Sequence, residues 1–209
     1  MTKTAYIHKI VPGTPDGPLL FVFHGTGADE TQLVPMGHDL VPDATIVSPR
    51  GDVSEMGAAR FFRRTGEGVY DMADLARGTK KMAGFVKAHI ADAKPSRVMG
   101  LGYSNGANIL ASVLFDAPEL FDAAVLMHPL IPFEPQVAGG FGGRRVLVTA
   151  GRRDPICPPN LTTRLEAYLR DLGAGVTVEW HEGGHEVRPN EIEAARQFLA
   201  ALSGKDVAK

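Results

Sequence analysis

Residues 98–115 read VMGLGYSNGANILASVLF: an apolar run, a Gly-Tyr-Ser-Asn-Gly turn and a second apolar run. Few folds accommodate that order. The chain must leave a buried strand at Tyr103 and enter a helix at Asn105 within about four residues, which is the context in which G-x-S-x-G forms a nucleophile elbow. Side chains at Gly102 or Gly106 would collide across so tight a turn. The residue between them, Ser104, is expected in a strained φ > 0 conformation, with its hydroxyl at the helix N-terminus. Two other readings compete. The serine could be incidental to a tight turn, although the flanking strand and helix argue for the elbow. Alternatively, Gly100, Gly102 and Gly106 could form a dinucleotide loop. Their spacing departs from G-x-G-x-x-G, and the following strand ends Leu126-Met127-His128 without an acidic residue.

The rest of the chain repeats the strand–loop–helix order. Apolar runs at 19–23, 45–47, 98–103, 123–127, 145–150 and 176–180 read as strands, several too continuously apolar to have a wet face. Helical spacing marks 31–40 (interrupted by Pro35 and Gly37), 71–91, 105–115, 161–172 and 190–202. Alternation of this kind implies βαβ units: a mostly parallel central sheet with helices on both faces, one α/β domain over 1–209. Residues 50–70 are glycine-rich without a period and read as a long surface loop, of the length that often serves function. Neither that stretch nor the 17-residue gap between Met127 and Arg145 has room for a separate lid domain.

Composition excludes several classes of function. With 22 basic and 24 acidic side chains the formal charge is −2, so nothing electrostatic suggests a nucleic acid partner. The lone Cys157 excludes an internal disulfide and fits a reducing compartment. No apolar h-region follows Lys3, His8 and Lys9, and the longest wholly apolar strands are far too short to span a bilayer. A cytoplasmic protein without membrane insertion is expected.

A serine needs a base, and the base needs an orienting acid. In a fold of this type these follow the serine in the order acid, then histidine, at the C-terminal ends of strands. The strand at 145–150 leads to Gly151-Arg152-Arg153-Asp154-Pro155, and that at 176–180 to His181-Glu182-Gly183-Gly184-His185. Asp154 and His185 are therefore the candidate acid and base. His181 sits too close to its strand end to reach, and His128 before Pro129 reads as structural or pocket-lining. His181 to His185 also spells H-E-x-x-H, but that zinc motif requires a helix, and two adjacent glycines after a strand oppose one. No metal and no cofactor are expected. The turn His24-Gly25-Thr26-Gly27 follows the first buried strand, where such hydrolases place one oxyanion amide, with the other on the residue after the serine. Those amides would belong to Thr26 and Asn105. In Arg60-Phe61-Phe62-Arg63-Arg64, the phenylalanines either fill the core or join Arg64 and His128 on a substrate rim. Cys157 reads as an inert thiol.

Taken together, His24-Gly25-Thr26-Gly27, Ser48-Pro49-Arg50-Gly51, Arg60-Phe61-Phe62-Arg63-Arg64, Glu67-Gly68-Val69-Tyr70-Asp71, Leu101-Gly102-Tyr103-Ser104-Asn105-Gly106-Ala107-Asn108, Asp154-Pro155 and Gly184-His185 resemble the phospholipase/carboxylesterase family of α/β-hydrolases. Within it the chain is similar to the bacterial branch of small stress- or quinone-inducible hydrolases, over about residues 19–190. The resemblance implies a serine hydrolase (EC 3.1.1.-) cleaving carboxylic esters through Ser104, His185 and Asp154, with homodimers in some members. Thioester or lysophospholipid hydrolysis would use the same three residues. A nucleotide-binding oxidoreductase or a catalytically silent binding module are the readings from other classes. Asn105 and Thr26 stand where better-known members carry Gln and Leu, so their long-chain acyl preference is not carried over and a short acyl group is expected.

Overall fold

The computed structural model describes residues 2–137 and 139–202. Met1, Ala138 and residues 203–209, which the single-domain, N-terminal and 128–144 readings include, lie outside the described residues. The strands are β1 (His8–Val11), β2 (Leu19–Phe23), β3 (Thr45–Pro49), β4 (Val53–Glu55), β5 (Ala58–Arg60), β6 (Arg64–Gly66), β7 (Val69–Tyr70), β8 (Val98–Tyr103), β9 (Ala123–Met127), β10 (Arg145–Gly151) and β11 (Gly175–His181). The helices are α1 (Val34–Leu40), α2 (Met72–Ala93), α3 (Asn105–Asp116), α4 (Pro159–Asp171) and α5 (Pro189–Ala200). A seven-stranded sheet runs β1-β3-β2-β8-β9-β10-β11, parallel throughout except for β1.

Both faces of this sheet are covered, which explains the unbroken apolar runs. Along β2 the pleat sends Leu19, Phe21 and Phe23 to one core and Leu20 and Val22 to the other. The first core takes Met82, Phe85 and Val86 of α2, most of the inner face of α3, and Leu165 and Leu169 of α4. The second takes Val34 and Leu40 of α1 and Ala195, Phe198 and Leu199 of α5. All eleven residues from Asn105 to Phe115 are buried, so α3 is enclosed on every side and runs through the centre. Among the described residues, no helix is long and apolar enough to cross a membrane.

Two regions depart from the expected elements. Strand β1 is an antiparallel edge strand whose Ile10 is half exposed, so its short sequence carries no burial signal. Residues 50–70 are two hairpins rather than an open loop, β4–β5 and β6–β7. The first turns at Met56 and Gly57, both with positive φ, which suits a two-residue hairpin turn. Met-Gly is not a strong turn signature, and strands of two or three residues are too short to show a period.

Candidate active site

Ser104 follows β8 with φ 52° and ψ −116°, and α3 begins at the next residue. Its amide donates to the Met127 carbonyl at 2.9 Å, and its carbonyl accepts from Asn108 N at 3.0 Å. A Cβ at Gly102 would lie 2.6 Å from the Gly106 carbonyl oxygen, as expected of the turn. The constraint at Gly106 comes from a different neighbour. Its Cβ would fall 2.0 Å from the Phe23 carbonyl oxygen, because the first turn of α3 rests on the end of β2.

Two later loops bring the partners. Nε2 of His185 lies 2.9 Å from Ser104 Oγ, and His185 Nδ1 donates to Asp154 Oδ2 at 2.7 Å. Tyr103 Oη donates to the His185 carbonyl at 2.8 Å, tying the histidine loop to the strand that ends at the serine. Asp154 is buried, and its Oδ1 accepts the amides of Ile156 at 2.8 Å and Cys157 at 2.9 Å. Burial would raise the carboxyl pKa, but the hydrogen bonds from His128, His185 and these amides hold it well below the usual carboxylate range.

His128 is not on a rim. Its side chain is wholly buried, with φ 51° at the end of β9, and Nδ1 donates to Asp154 Oδ2 at 2.9 Å. Its other nitrogen lies 2.9 Å from Oε1 of Glu191, a fully buried carboxylate in the first turn of α5. Phe61 and Phe62 also leave the substrate surface: both are fully buried, each contributing roughly 1.5–3 kcal/mol to the core. Of the proposed rim only Arg64 borders the cavity above Ser104 and His185, a space of about 300 Å³. Arg60, Tyr70, Asn108 and Leu130 join it. Asn108 could have been noticed as an amide inside an otherwise apolar helix. Its Oδ1 accepts from Leu130 N at 2.7 Å and its Nδ2 donates to Tyr70 Oη at 2.8 Å, joining α3 to the roof. Glu191 gave no such signal.

Thr26 and Asn105 border the same cavity. The Thr26 turn is held from three sides. Gly25 N donates to Gln32 Oε1 at 2.8 Å, Gly51 N to His24 Nε2 at 2.9 Å, and Arg60 Nη1 to Thr26 Oγ1 at 2.7 Å. Asn105 opens α3, so its N–H has no acceptor within the helix. Its side-chain Oδ1 accepts from Phe61 N at 2.9 Å and fixes the roof to the elbow.

His181 and His185 do not share a helix face. Strand β11 ends at His181, and Glu182 turns outward to Arg152. Histidine and carboxylate groups do cluster here, as His128 with His181 and Glu191, and His128 with Asp154 and His185. Protons occupy the positions a cation would need. Nδ1 of His181 accepts from Gly183 N at 2.9 Å, so its Nε2 carries the proton and offers no lone pair. Nδ1 of both His128 and His185 donates to Asp154. Cys157 is buried, and burial pushes its thiol pKa up, so it is not a thiolate.

Known proteins share this arrangement of elements. The hydrolase MhqD of Bacillus subtilis (strain 168) is 39% identical over 193 residues, spanning 91% of this chain and 96% of its own. The solved structure of Atu2452 from Agrobacterium tumefaciens str. C58 superimposes with a TM-score of 0.92 at 61% identity, covering 96% of this chain and 98% of that one. The Bacillus cereus carboxylesterase superimposes with a TM-score of 0.89 at 35% identity, covering 94% of each. The dienelactone hydrolase family matches residues 62–190, from the roof through the histidine loop. A parallel sheet carrying a strained serine, and relatives aligned over nearly its whole length, lead to one assignment: the chain belongs to the dienelactone hydrolase family of α/β-hydrolases, in agreement with the phospholipase/carboxylesterase resemblance.

Proposed function

We propose that the protein is a serine carboxylesterase in which Ser104 is the nucleophile, His185 the base and Asp154 the orienting acid. The observation that carries this reading is the continuous line from Ser104 Oγ to His185 Nε2 at 2.9 Å and from His185 Nδ1 to Asp154 Oδ2 at 2.7 Å. Ser104 Oγ attacks the ester carbonyl carbon while its proton passes to His185 Nε2, and the carbonyl π pair moves onto oxygen. The amides of Thr26 and Asn105 receive that oxyanion at the positive end of α3. Collapse of the tetrahedral intermediate expels the alkoxide, which takes the proton from His185. Water, deprotonated by the same imidazole, then releases the acid and restores Ser104. Asp154 keeps Nδ1 protonated throughout, so Nε2 is the nitrogen free to accept.

A small ester fits the site. The cavity is about 300 Å³, is lined by Arg60, Arg64 and Glu67 as well as apolar groups, and is bordered by the short hairpins and by Leu130. A fluorophosphonate probe should label the parent protein and leave Ser104→Ala unlabelled, with ester hydrolysis in the variant down by about 10⁴-fold or more. Equal labelling of the two would reject the nucleophile. A panel of p-nitrophenyl esters, acyl thioesters and lysolipids then tests the preference for short carboxylic esters.

A further inference from the structure

Asp154 Oδ2 serves two imidazoles, and only one of them faces the serine. His185, 17% exposed in its side chain, donates at 2.7 Å; His128, fully buried, donates at 2.9 Å from the opposite side. Their rings are 5.1 Å apart. We propose that His128 and Glu191 are positioning residues for the triad: a buried Glu191–His128⁺ pair that fixes Asp154 and places a positive charge beside His185 at neutral pH. The proposal rests on the Ser104–His185–Asp154 reading.

The surroundings of Glu191 define the protonation pattern. Every polar neighbour approaches it as a donor. Thr149 Oγ1 donates to Oε1 at 2.5 Å and Arg188 N to Oε2 at 2.6 Å. His181 Nε2, which must be protonated, lies 3.2 Å from Oε2. His128 Nε2 lies 2.9 Å from Oε1 as an ion-pair contact without hydrogen-bond geometry. An ionised carboxylate is the species such a ring of donors holds. His128 then stands between two buried carboxylates and is doubly protonated. Burial alone would lower its pKa, but the hydrogen bond to Asp154 and the charges of the two adjoining carboxylates prevail and push it up to about 9. The adjoining His128, with the hydrogen bonds from Thr149 and Arg188 N, lowers Glu191 against the opposing effect of its burial. The titratable groups packed around the two histidines are Asp154, Glu191, His181, Tyr103 and Cys157, whose thiol donates to the His128 carbonyl at 3.2 Å. No other cation among them is in contact with His185.

A charge in this position has a definite effect. A positive ring centred 5.1 Å from that of His185 repels a second positive charge there. The pair also prevents Asp154 from rotating, because Oδ1 is held by two amides and Oδ2 by two rings.

Glu191→Gln tests this with little change of shape. The new amide can donate to a singly protonated His128 Nε2 and to Thr149, while its carbonyl accepts from Arg188 N and His181. The variant thus removes the carboxylate charge that faces His128 while keeping the size and shape of the side chain. In the full-length chain, the acid limb of kcat/KM for p-nitrophenyl acetate should move to higher pH by about one unit or more, with kcat at the alkaline plateau within a few-fold of the parent. A purely structural role would lower Tm and leave the limb in place. In the parent, ¹⁵N spectra of the histidine rings at pH 7 should show both His128 nitrogens protonated; that measurement decides alone if the variant does not fold. An unmoved limb, or a singly protonated His128 at pH 7, overturns the proposal. Hydrolysis that survives Ser104→Ala would instead signal failure of the triad reading, whatever the limb does.

Discussion

The elbow and the roof meet over the same cavity but are held by different physics. From Val98 to Asp116 the only charged side chain is that of the last residue, and the geometry follows from backbone contacts at van der Waals limits: Gly102 against Gly106, and Gly106 against the end of β2. The roof, residues 52–71, is built from strands of two or three residues tied by ions. Glu55 binds both Arg60 and Arg64, Glu67 binds Arg64, and buried Asp74 of α2 reaches up to Arg63. One region is fixed by steric exclusion, which is insensitive to salt and pH. The other is fixed by charge, which is sensitive to both. The part that carries Ser104 is therefore rigid, and the part that covers the cavity is adjustable.

The largest break in that contrast is expected at Gly106. An alanine there would place Cβ 2.0 Å from the Phe23 carbonyl oxygen, and neither backbone can yield without moving β2 or α3. Gly106→Ala should cost about 3 kcal/mol, lowering Tm by roughly 6–12 °C, and should displace the Ser104 amide and hydroxyl enough to remove most esterase activity. Thermal melts and fluorophosphonate labelling check it; a variant that melts and labels like the parent would mean the elbow is not sterically fixed.

That same division explains what could be read from the chain alone. Steric requirements are local and leave letters: Gly102, Ser104 and Gly106 stand within five residues, and Asp154 and His185 follow strands long enough to show apolar runs. Charge-built parts are non-local. Phe61 and Phe62 look like a rim because arginines flank them, yet both are buried, packed on Phe23 of the core and on the inner side of Tyr70. His128 before Pro129 reads as structural or pocket-lining, and it is structural; the group that faces it across from Asp154 is Glu191, 63 positions later, on a helix whose inward acid no periodicity distinguishes. Strand β1 was hidden for a related reason, since an edge strand with a wet face need not be apolar.

A smaller effect is expected where α2 grips the roof. Asp74 is 2% exposed; it accepts Arg63 N at 2.7 Å and Arg77 Nε at 2.7 Å. Burial would raise its pKa, but these bonds and the nearby guanidinium charges lower it. A carboxyl whose folded pKa is depressed contributes stability that is present above about pH 4 and lost as the pH falls through the folded value. The roof should therefore loosen in acid before the elbow does. Amide exchange at residues 52–71 should accelerate below about pH 4 while α3 stays protected, and Asp74→Asn should reproduce the effect at neutral pH at a cost of about 2 kcal/mol. Simultaneous loss of protection in both regions would show that they are one cooperative unit.

Arg64 marks the lower end of the scale. Its guanidinium reaches Glu55 Oε1 at 3.0 Å and Glu67 Oε2 at 2.5 Å, but its side chain is 24% exposed and that of Glu67 is 62% exposed. Pairs this wet contribute at most about 1 kcal/mol, and salt screens them further. Arg64→Ala should accordingly shift Tm by no more than about 2–4 °C. Its effect belongs on substrate binding, because Arg64 borders the cavity while Ser104 and His185 make no bond to it. KM for esters bearing an anionic group should rise several-fold with kcat nearly unchanged, and neutral esters should respond less. A fall in kcat equal for both kinds of ester would mean instead that the ionic roof helps to set the geometry of the elbow, and the two regions would no longer be separable.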